Sequence, residues 1–388
     1  MSLTLSRRSF LAGSTVLAAG LPTRARAQSK PIRIGLLTVK TGPLAAGGIQ
    51  MEQGTSRFLK DKSYTLAGRK VELVVADTGG NPAGTKTKIQ ELVERDNVDM
   101  IFGPLAAFEL LAITDYAAQA KMPILSLAAA EDMTQRRPNP YFVRASGTSA
   151  QYMHPLADYA AKELKFKRVI TIADDFAFGH EQMAGFQRVF EDAGGRIVKK
   201  LWPPLVTPDY TSYIAQISGV DAVIQGFAGS NPLKFMKQYQ DQGLKLPVLA
   251  GAPACDDALM KSFGDEVLGV ISCSAYPGDL DTPSNKRLVD GMVRDYGNIP
   301  GLYAAGLYIN GMVAGAALEK TGGKTDDKDT LNRALRAVSF TDTPRGPFSF
   351  AIFVVIVVFM PEGLVPGTQR LWRWARAAAS GPRVSAAG

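Results

Sequence analysis

The chain repeats one pattern many times: a short apolar run, a loop rich in Gly, Pro and polar residues, and a longer segment with helical spacing. This alternation predicts a parallel sheet with helices on both of its faces. In a first series, strands are predicted at residues 32–37, 71–76, 100–102 and 124–126, and helices at residues 47–61, 82–95 and 108–121. We expect this series to form one lobe.

A second series with the same alternation follows, and we expect it to form another lobe. Its strands are predicted at residues 169–173, 197–201, 222–226, 248–250 and 270–274, and its helices at residues 151–164, 180–193, 210–218, 232–242 and 256–263. A chain of 388 residues with 46% hydrophobic residues is long enough for its core to divide in two. The predicted fold class is therefore α/β, with two doubly wound parallel-sheet lobes.

Two breaks in this rhythm indicate where the chain crosses between the lobes. Arg136-Arg137-Pro138-Asn139-Pro140 and a short strand at residues 141–144 end the first series. After Tyr276-Pro277 come three predicted helices, at residues 283–296, 302–320 and 329–337. The predicted domains are the first lobe at residues 28–145, the second lobe at residues 146–276, a return to the first lobe at residues 277–340, and a truncated end of the second lobe at residues 341–350.

The loops that follow the predicted strands form the candidate binding site, because ligands of parallel α/β sheets bind at the carboxyl ends of the strands. Two lobes face to face make a cleft that can close over a solute by hinge motion. These loops are rich in Gly, small residues and aromatics, which suits a small, partly apolar solute. The candidate ligand-binding residues are Thr41, Leu105, Ala106, Ala107, Ala128, Ala129, Ala130, Phe176, Phe178, Phe227, Ser230 and Pro253.

Within this set, we predict two roles. The N–H groups and side chains around Thr41 and around the alanines at positions 106, 107, 129 and 130 would hold a polar end of the ligand. Phe178 and Phe227 would cover its apolar part.

The two ends of the chain differ in character from the body. Residues 1–27 contain Arg7-Arg8, an apolar run too short to span a bilayer, and an Ala25-Arg26-Ala27 cleavage motif, which together predict a twin-arginine-like signal peptide cut before Gln28 and a periplasmic location. Residues 351–360 are ten consecutive apolar residues, and an Arg/Trp segment follows them. Ten residues cannot cross about 30 Å of hydrocarbon as a helix. The alternatives for this tail are a replacement strand, a membrane-associated segment and a disordered end.

The net charge of +8 raises the question of a nucleic-acid partner. Four arginines lie in residues 1–27 and four in residues 351–388, which leaves 36 basic and 35 acidic residues in between. Nucleic-acid binding needs clustered Lys and Arg side chains that replace counterions. Because residues 28–350 have a net charge close to zero, we predict that the protein has no nucleic-acid partner.

A search for catalytic residues finds no convincing set. Gly323-Lys324-Thr325 lacks the glycine that a phosphate loop needs five positions earlier, because Leu318 stands there. Two histidines leave few possible members for a Ser-His or Cys-His pair, and clusters of metal ligands are missing. We therefore predict a protein that is not an enzyme and has no cofactor or metal. Cys255 and Cys273, the only cysteines, are either two buried thiols or one disulfide.

Several short motifs occur in a characteristic order. They are Ile34-Gly35-Leu36 leading to Thr41-Gly42-Pro43, Val71-Glu72-Leu73 with Asp77, Val98-Asp99-Met100-Ile101-Phe102-Gly103-Pro104, Met122-Pro123-Ile124-Leu125-Ser126 and Asp174-Asp175 with Gly179. Together they resemble the leucine/isoleucine/valine-binding family of type I periplasmic solute-binding proteins, over about residues 30 to 350. The resemblance implies two lobes joined by three crossing segments, and a receptor that delivers a small-molecule solute to the membrane permease subunits of an ABC importer.

The resemblance also implies how an amino acid would be held: small hydroxyl residues bind the α-carboxylate and an acid binds the α-ammonium. This chain departs from that pattern, because Ala106-Ala107 and Ala130 stand at hydroxyl positions and Pro253 stands at the acidic position. Phe178 replaces the usual tyrosine. A buried ammonium without its carboxylate costs on the order of 3–5 kcal/mol. We expect a less polar solute, such as an aromatic or short-chain carboxylate or an amide.

The tail after residue 350 resembles the cytoplasmic end of a permease subunit of a branched-chain amino-acid importer, which suggests a gene fusion or deletion. The receptor itself is expected to be a monomer. Two other functions stay open: a ligand sensor of the same fold and an exported hydrolase. The export signal counts against the sensor, and the missing nucleophile and base count against the hydrolase.

Overall fold

The structure is a computed structural model, and it describes residues 30–207 and 209–349. The strands in this part of the chain are β1 (Ile32–Thr38), β2 (Thr65–Leu66), β3 (Arg69–Asp77), β4 (Met100–Phe102), β5 (Ile124–Leu125), β6 (Phe142–Val143), β7 (Arg168–Ala173), β8 (Arg196–Leu201), β9 (Ala222–Gly226), β10 (Val248–Ala250), β11 (Ile271–Ser272), β12 (Ser339–Phe340) and β13 (Phe348–Ser349). The helices are α1 (Ala45–Asp61), α2 (Pro82–Gln90), α3 (Ala107–Gln119), α4 (Ser149–Lys162), α5 (Ala177–Asp192), α6 (Thr211–Ile214), α7 (Asn231–Asp241), α8 (Pro283–Tyr296), α9 (Leu302–Lys320) and α10 (Lys328–Leu335).

The first sheet has the strand order β2-β3-β1-β4-β5-β6. All its pairs are parallel except the short antiparallel pair of β2 with β3. Ile34 and Leu36 of β1 pack on one face, with α1 and α9, whereas Leu37 packs on the other face, with α2 and α3. Burial on both faces explains why β1 is an almost continuous apolar run.

The second sheet has the order β11-β10-β9-β7-β8, and all its pairs are parallel. Val169 and Ala173 of β7 pack against α4 and α5, whereas Ile170 and Ile172 pack against α6 and α7. Each sheet therefore lies between two layers of helices and has its own core.

Helix α9 returns the chain to the first sheet, where it packs along α1. Leu307, Val313 and Leu318 on α9 are fully buried. The two helices approach so closely that a Cβ at Gly54 of α1 would lie 2.1 Å from the carbonyl oxygen of Ala304. Glycine is needed at this crossing.

This architecture confirms the predicted α/β fold with two doubly wound parallel sheets. Three predicted helices differ from the structure. The segment at residues 82–95 is α-helical only over Pro82–Gln90, and Glu91–Arg95 form a π-helix. Only Thr211–Ile214 of the segment at residues 210–218 is α-helical. The segment at residues 256–263 forms a 3₁₀ helix over Asp257–Ser262, because the Asp256 side chain accepts the N–H of Ala258 and holds a tight first turn.

Other expectations concern the cysteines and the two ends of the chain. Cys255 and Cys273 are free thiols, so the disulfide alternative is not realised. In the described ranges, no helix is both long and apolar enough to cross a bilayer. The predicted signal peptide at residues 1–27 and the permease-like tail at residues 351–388 lie outside the described residues.

Candidate ligand-binding site

A cavity lies between the lobes, where the carboxyl ends of the strands of both sheets meet. Its wall is formed by Leu44, Leu105, Ala106, Ala107, Leu127, Ala129, Ser149, Tyr152, Phe176, Phe178, Ala228, Ala252, Pro253, Leu302 and Tyr303. Loops after three strands of the first sheet (β1, β4 and β5) and three strands of the second (β7, β9 and β10) contribute to it. This is where a doubly wound fold is expected to hold a ligand.

The structure brings seven of the twelve predicted residues to this wall: Leu105, Ala106, Ala107, Ala129, Phe176, Phe178 and Pro253. Their role in ligand binding stays a prediction. The other five, Thr41, Ala128, Ala130, Phe227 and Ser230, do not line the cavity.

Phe227 lies in the core of the second lobe, away from the cavity. Its side chain is fully buried, with ring centroids 5.2 Å from Tyr210 and 5.1 Å from Phe235. The neighbouring residue, Ala228, reaches the cavity wall instead. Phe227 is therefore placed to support the loop and not to cover a ligand.

Thr41 is exposed to solvent, so it cannot hold a polar group inside the cavity as the structure stands. Ser230 contacts the opposite lobe through its backbone: its N–H donates to the carbonyl oxygen of Pro43 at 3.0 Å. This contact places Ser230 at the edge of the cleft.

Buried Glu109 fixes the loop before α3. One of its carboxylate oxygens accepts the N–H of Ala106 at 2.9 Å, and the other accepts the hydroxyls of Thr78 and Thr85. Burial raises the pKa of Glu109 despite these hydrogen bonds. The network sets Ala106 and Ala107 at the cavity wall.

Arg144 fixes the loop after β5. Its guanidinium donates to the carbonyl oxygens of Ala128, Ala129 and Ala130, at 2.6 Å for Ala129 and 3.0 Å for Ala130. Burial lowers the pKa of Arg144. All three carbonyl groups are thus held by Arg144, and of the three residues Ala129 lines the cavity.

Asp174 fixes the loop after β9 in the second lobe. One carboxylate oxygen accepts the N–H of Ala228 at 2.7 Å, and the other accepts the side-chain amide of Asn231 at 2.7 Å. The side chain is fully buried, and this burial raises the pKa of Asp174 to about 7. Asp174 holds Ala228 against the cavity.

Aromatic rings form the mouth of the cavity between the lobes. Phe176 packs edge-on against Phe108 of the first lobe with ring centroids 5.3 Å apart. Phe178 stacks on Phe176 at 5.7 Å and 26°. Both Phe176 and Phe178 are partly buried, so part of each ring remains available to a ligand.

Four helices begin at the cavity wall. The residues that start α3, α4, α5 and α9 include the wall residues Ala107, Ser149, Phe178, Leu302 and Tyr303. The first N–H groups of a helix lack intrahelical acceptors, and the helix dipole adds partial positive charge there. The wall contains no Asp, Glu, Lys or Arg among the described residues. Polar contacts to a ligand would therefore come from backbone groups or hydroxyl side chains of the wall. The N–H of Leu302, at the start of α9, is already accepted by the buried carboxylate of Asp256.

Sequence reasoning missed eight residues of the wall. Four of them lie in the loops after strands (Leu44, Leu127, Ala228 and Ala252), and the other four are Ser149, Tyr152, Leu302 and Tyr303. Ser149 and Tyr152 belong to α4, which follows the crossing strand β6, and Leu302 and Tyr303 belong to α9, which follows α8. Two signals could have indicated them. One is the helix start marked by Thr148, whose hydroxyl accepts the N–H of Gln151. The other is Gly301 just before a long apolar helix.

The cavity has a volume of about 40 Å³. This is room for a few water molecules, whereas a cavity of about 150 Å³ accommodates benzene. The lobes or the rings at the mouth must move apart to admit an aromatic ring. Within the described residues, no group of His, Cys, Asp and Glu side chains is arranged to hold a metal ion.

Two doubly wound lobes that enclose an uncharged cavity define a two-lobed solute-binding protein. Residues 31–351 match the family described as periplasmic binding protein. A solute binding protein of an ABC transporter from Rhodopseudomonas palustris BisB5, solved in complex with 3,4-dihydroxy benzoic acid, is 33% identical with a TM-score of 0.77, and the match covers 82% of this chain and 88% of that one. An ABC transporter substrate-binding protein from Sphaerobacter thermophilus is 35% identical with a TM-score of 0.76, and the match covers 82% and 89%.

Among sequence relatives, Leu/Ile/Val-binding protein homolog 6 of Brucella suis biovar 1 (strain 1330) is 29% identical over 345 residues, which is 86% of this chain and 87% of the relative. The chain therefore belongs to the periplasmic binding protein family and is a substrate-binding protein of an ABC transporter. The resemblance to the leucine/isoleucine/valine-binding family is confirmed. These relatives are described as binding proteins.

Proposed function

We propose that the protein captures a small aromatic carboxylate between its lobes in the periplasm and delivers it to the permease subunits of an ABC importer. One observation carries the choice of solute: helix N-termini converge on an apolar cavity whose wall has no charged side chain.

The electrostatics of the wall favour an anion over a zwitterion. Helix N-termini stabilise negative charge by typically 0.3–1 kcal/mol each, and by up to about 2 kcal/mol in partly buried geometry. The N-termini of α3, α4 and α5 carry this argument, because the first N–H of α9 is already paired with Asp256. An amino acid would also bury its ammonium group in the same wall, which offers no carboxylate to pair with it. Leaving that charge unpaired costs about 3–5 kcal/mol.

The apolar part of the wall suits an aromatic ring. Phe176 and Phe178 present ring faces from the second lobe, and Leu105 and Leu127 close the cavity from the first lobe. Aromatic pairs in stacked or edge-to-face geometry contribute about 0.5–1.5 kcal/mol beyond their buried area. The binding protein from Rhodopseudomonas palustris BisB5, which was solved with 3,4-dihydroxy benzoic acid, supports this class of solute.

The experiment is isothermal titration of the mature chain, residues 28–388, with three compounds: 3,4-dihydroxybenzoate, its neutral primary amide and leucine. We expect stoichiometric binding of the carboxylate. The amide should bind about 10- to 150-fold more weakly, because hydrogen bonds to a charged group contribute about 1.5–3 kcal/mol. Leucine should bind least. Tighter binding of leucine than of the carboxylate would contradict the proposal, and so would steady turnover of any of the three compounds.

A further inference from the structure

Asp256 makes an unusual set of contacts across the cleft. It follows the cavity loop of the second lobe, which contains Ala252 and Pro253, and its side chain is only 3% exposed. One carboxylate oxygen accepts the N–H of Leu302 at 2.6 Å. The other accepts the side-chain amide of Gln50 at 3.4 Å and the N–H of Ala258 at 3.1 Å. Of these three donors, Leu302 and Gln50 belong to the opposite lobe.

Both of these donors are held rigidly in the first lobe. Gln50 lies on α1, and Leu302 is the first residue of α9, which packs along α1. A carboxylate at a helix N-terminus takes up an N–H group that has no intrahelical acceptor and interacts favourably with the helix dipole. The contact therefore joins the ligand loop of one lobe to the rigid helix layer of the other.

Gly301 shows how tightly this contact is built. A Cβ placed on Gly301 would lie 1.7 Å from the Oδ1 atom of Asp256 and 2.5 Å from the Oε1 atom of Gln50. The backbone of Gly301, at φ −103° and ψ −170°, is a conformation that any residue adopts. Space in front of Asp256, and not backbone strain, accounts for glycine here.

We propose that Asp256 is an interlobe latch, a positioning residue that holds the two lobes closed over the cavity without touching the ligand. Asp256 is not part of the cavity wall, although Pro253, Leu302 and Tyr303 around it are. The latch rests on the proposed function, since it regulates closure of the same cleft. Opening the cleft exposes the carboxylate and the Leu302 N–H to water, and closing exchanges those water contacts for a charge-assisted hydrogen bond.

Other hydrogen bonds between described residues also cross between the lobes, and they differ from the latch. One of them is exposed to solvent: Lys261 donates from its Nζ to the carbonyl oxygen of Gly297 at 3.4 Å. Ser230 donates its N–H to the carbonyl oxygen of Pro43 at 3.0 Å, a contact between neutral groups. Glu181 accepts the N–H of Glu131 at 2.8 Å, and it is less buried than Asp256. Asp256 combines near-complete burial with two donors from the opposite lobe, which makes it the strongest candidate.

The first test uses Asp256→Asn in the mature chain, with Asp221→Asn as the matched control. Asp221 accepts the N–H groups of Lys167 and Arg168 at 2.6 and 2.8 Å, entirely within the second lobe. We expect Asp256→Asn to increase the radius of gyration of the ligand-free protein in small-angle X-ray scattering and to raise the dissociation rate of 3,4-dihydroxybenzoate about 10-fold. If fewer molecules are in the closed, binding-competent state, the apparent affinity for the ligand falls in the same proportion. The control should leave both quantities unchanged.

The second test perturbs the same contact from the first lobe and does not depend on the behaviour of Asp256→Asn. Gly301→Ala introduces a methyl group that fits only when the lobes separate or Asp256 withdraws, so it should open the protein in the same way. In an Asp256→Ala background only the flexible end of the Gln50 side chain, 2.5 Å away, has to shift, and Gly301→Ala should then have little further effect. Such non-additivity is the signature of direct contact.

The outcomes separate the latch from the proposed function. Unchanged scattering together with an unchanged dissociation rate in Asp256→Asn and in Gly301→Ala overturns the latch, and so do strictly additive effects in the double variant. If 3,4-dihydroxybenzoate does not bind the parent protein, the proposed solute is wrong, and scattering of the ligand-free variants alone decides on the latch.

Discussion

Substitution of Phe178 by alanine removes one aromatic face of the candidate site, from a partly buried side chain at the edge of the first lobe's core. Phe178 is partly buried, stacks on Phe176 with ring centroids 5.7 Å apart, and lies at the start of α5. Its ring therefore faces the cavity on one side and Phe176 on the other. The substitution should affect ligand binding more than folding.

The expected loss is set by the apolar area that the ligand buries against this ring. Removing a buried aromatic contact costs roughly 1–3 kcal/mol, which is about 5- to 150-fold in affinity. Phe227 provides the contrast. Because that ring is fully buried between Tyr210 and Phe235, Phe227→Ala should cost about 3–5 kcal/mol of folding stability and lower the melting temperature by many degrees.

The assay is titration calorimetry with 3,4-dihydroxybenzoate at a temperature where both variants are folded, combined with thermal denaturation without ligand. Phe178→Ala should lose affinity with only a small fall in melting temperature, and Phe227→Ala should show the larger fall in melting temperature and the smaller loss of affinity. If Phe178→Ala binds as the parent does, the ligand does not lie against this ring. A large affinity loss in Phe227→Ala alone would place the cleft deeper in the second lobe.

Three further predictions concern the loops, the pH dependence and export. Arg144→Met should lower both affinity and melting temperature, because three carbonyl groups at residues 128–130 lose a charged donor worth about 1.5–3 kcal/mol. Burial raises the pKa of Glu181 from its ordinary value of about 4.5 to about 7, which means that the closed protein favours the protonated carboxyl group. The contribution of Glu181 to closure is therefore complete below about pH 4.5 and is lost as the pH rises through about 7. Calorimetry should show affinity falling between pH 5 and pH 7.5, and a weaker decline in Glu181→Gln; a pH-independent parent would refute this. Replacing Arg7-Arg8 with two lysines should keep the chain in the cytoplasm, and N-terminal sequencing of the exported parent should begin at Gln28; export of the lysine variant would argue against the twin-arginine route.

Much of the fold follows from local pattern. Strands β1 and β7 are read correctly because burial on both faces makes them unbroken apolar runs. The six loops that reach the cavity follow from one rule about the carboxyl ends of parallel strands. The helices predicted at residues 210–218 and 256–263 are longer or more regular than the observed α-helix at residues 211–214 and 3₁₀ helix at residues 257–262. Tertiary contacts such as that of Asp256 override the helical spacing there.

The individual site residues are harder to predict, for a geometric reason. Residues 227 and 228 follow the same strand, yet the aromatic ring turns into the core and the alanine turns to the cavity. Which of two neighbours faces the cleft depends on Asp174, which is more than 50 positions away in sequence and fixes the Ala228 N–H. Tyr152 and Tyr303 also reach the wall, although they lie on α4, after the crossing strand β6, and on α9, after α8, where the rule about strand ends of the two series does not apply.

The small cavity and the tight latch bear on each other. A cavity of about 40 Å³ must expand to admit an aromatic ring, and separating the lobes lengthens the 2.6 Å hydrogen bond between Leu302 and Asp256. A solute that needs a wider separation of the lobes therefore retains less of the free energy that this hydrogen bond contributes to closure, because hydrogen bonds weaken steeply once their geometry is lost. Movement of Phe178 alone would admit a thin, flat ring at the mouth while the latch stays formed. Flat solutes consequently keep both the ring contact and the latch, whereas branched or bulky ones give up the latch.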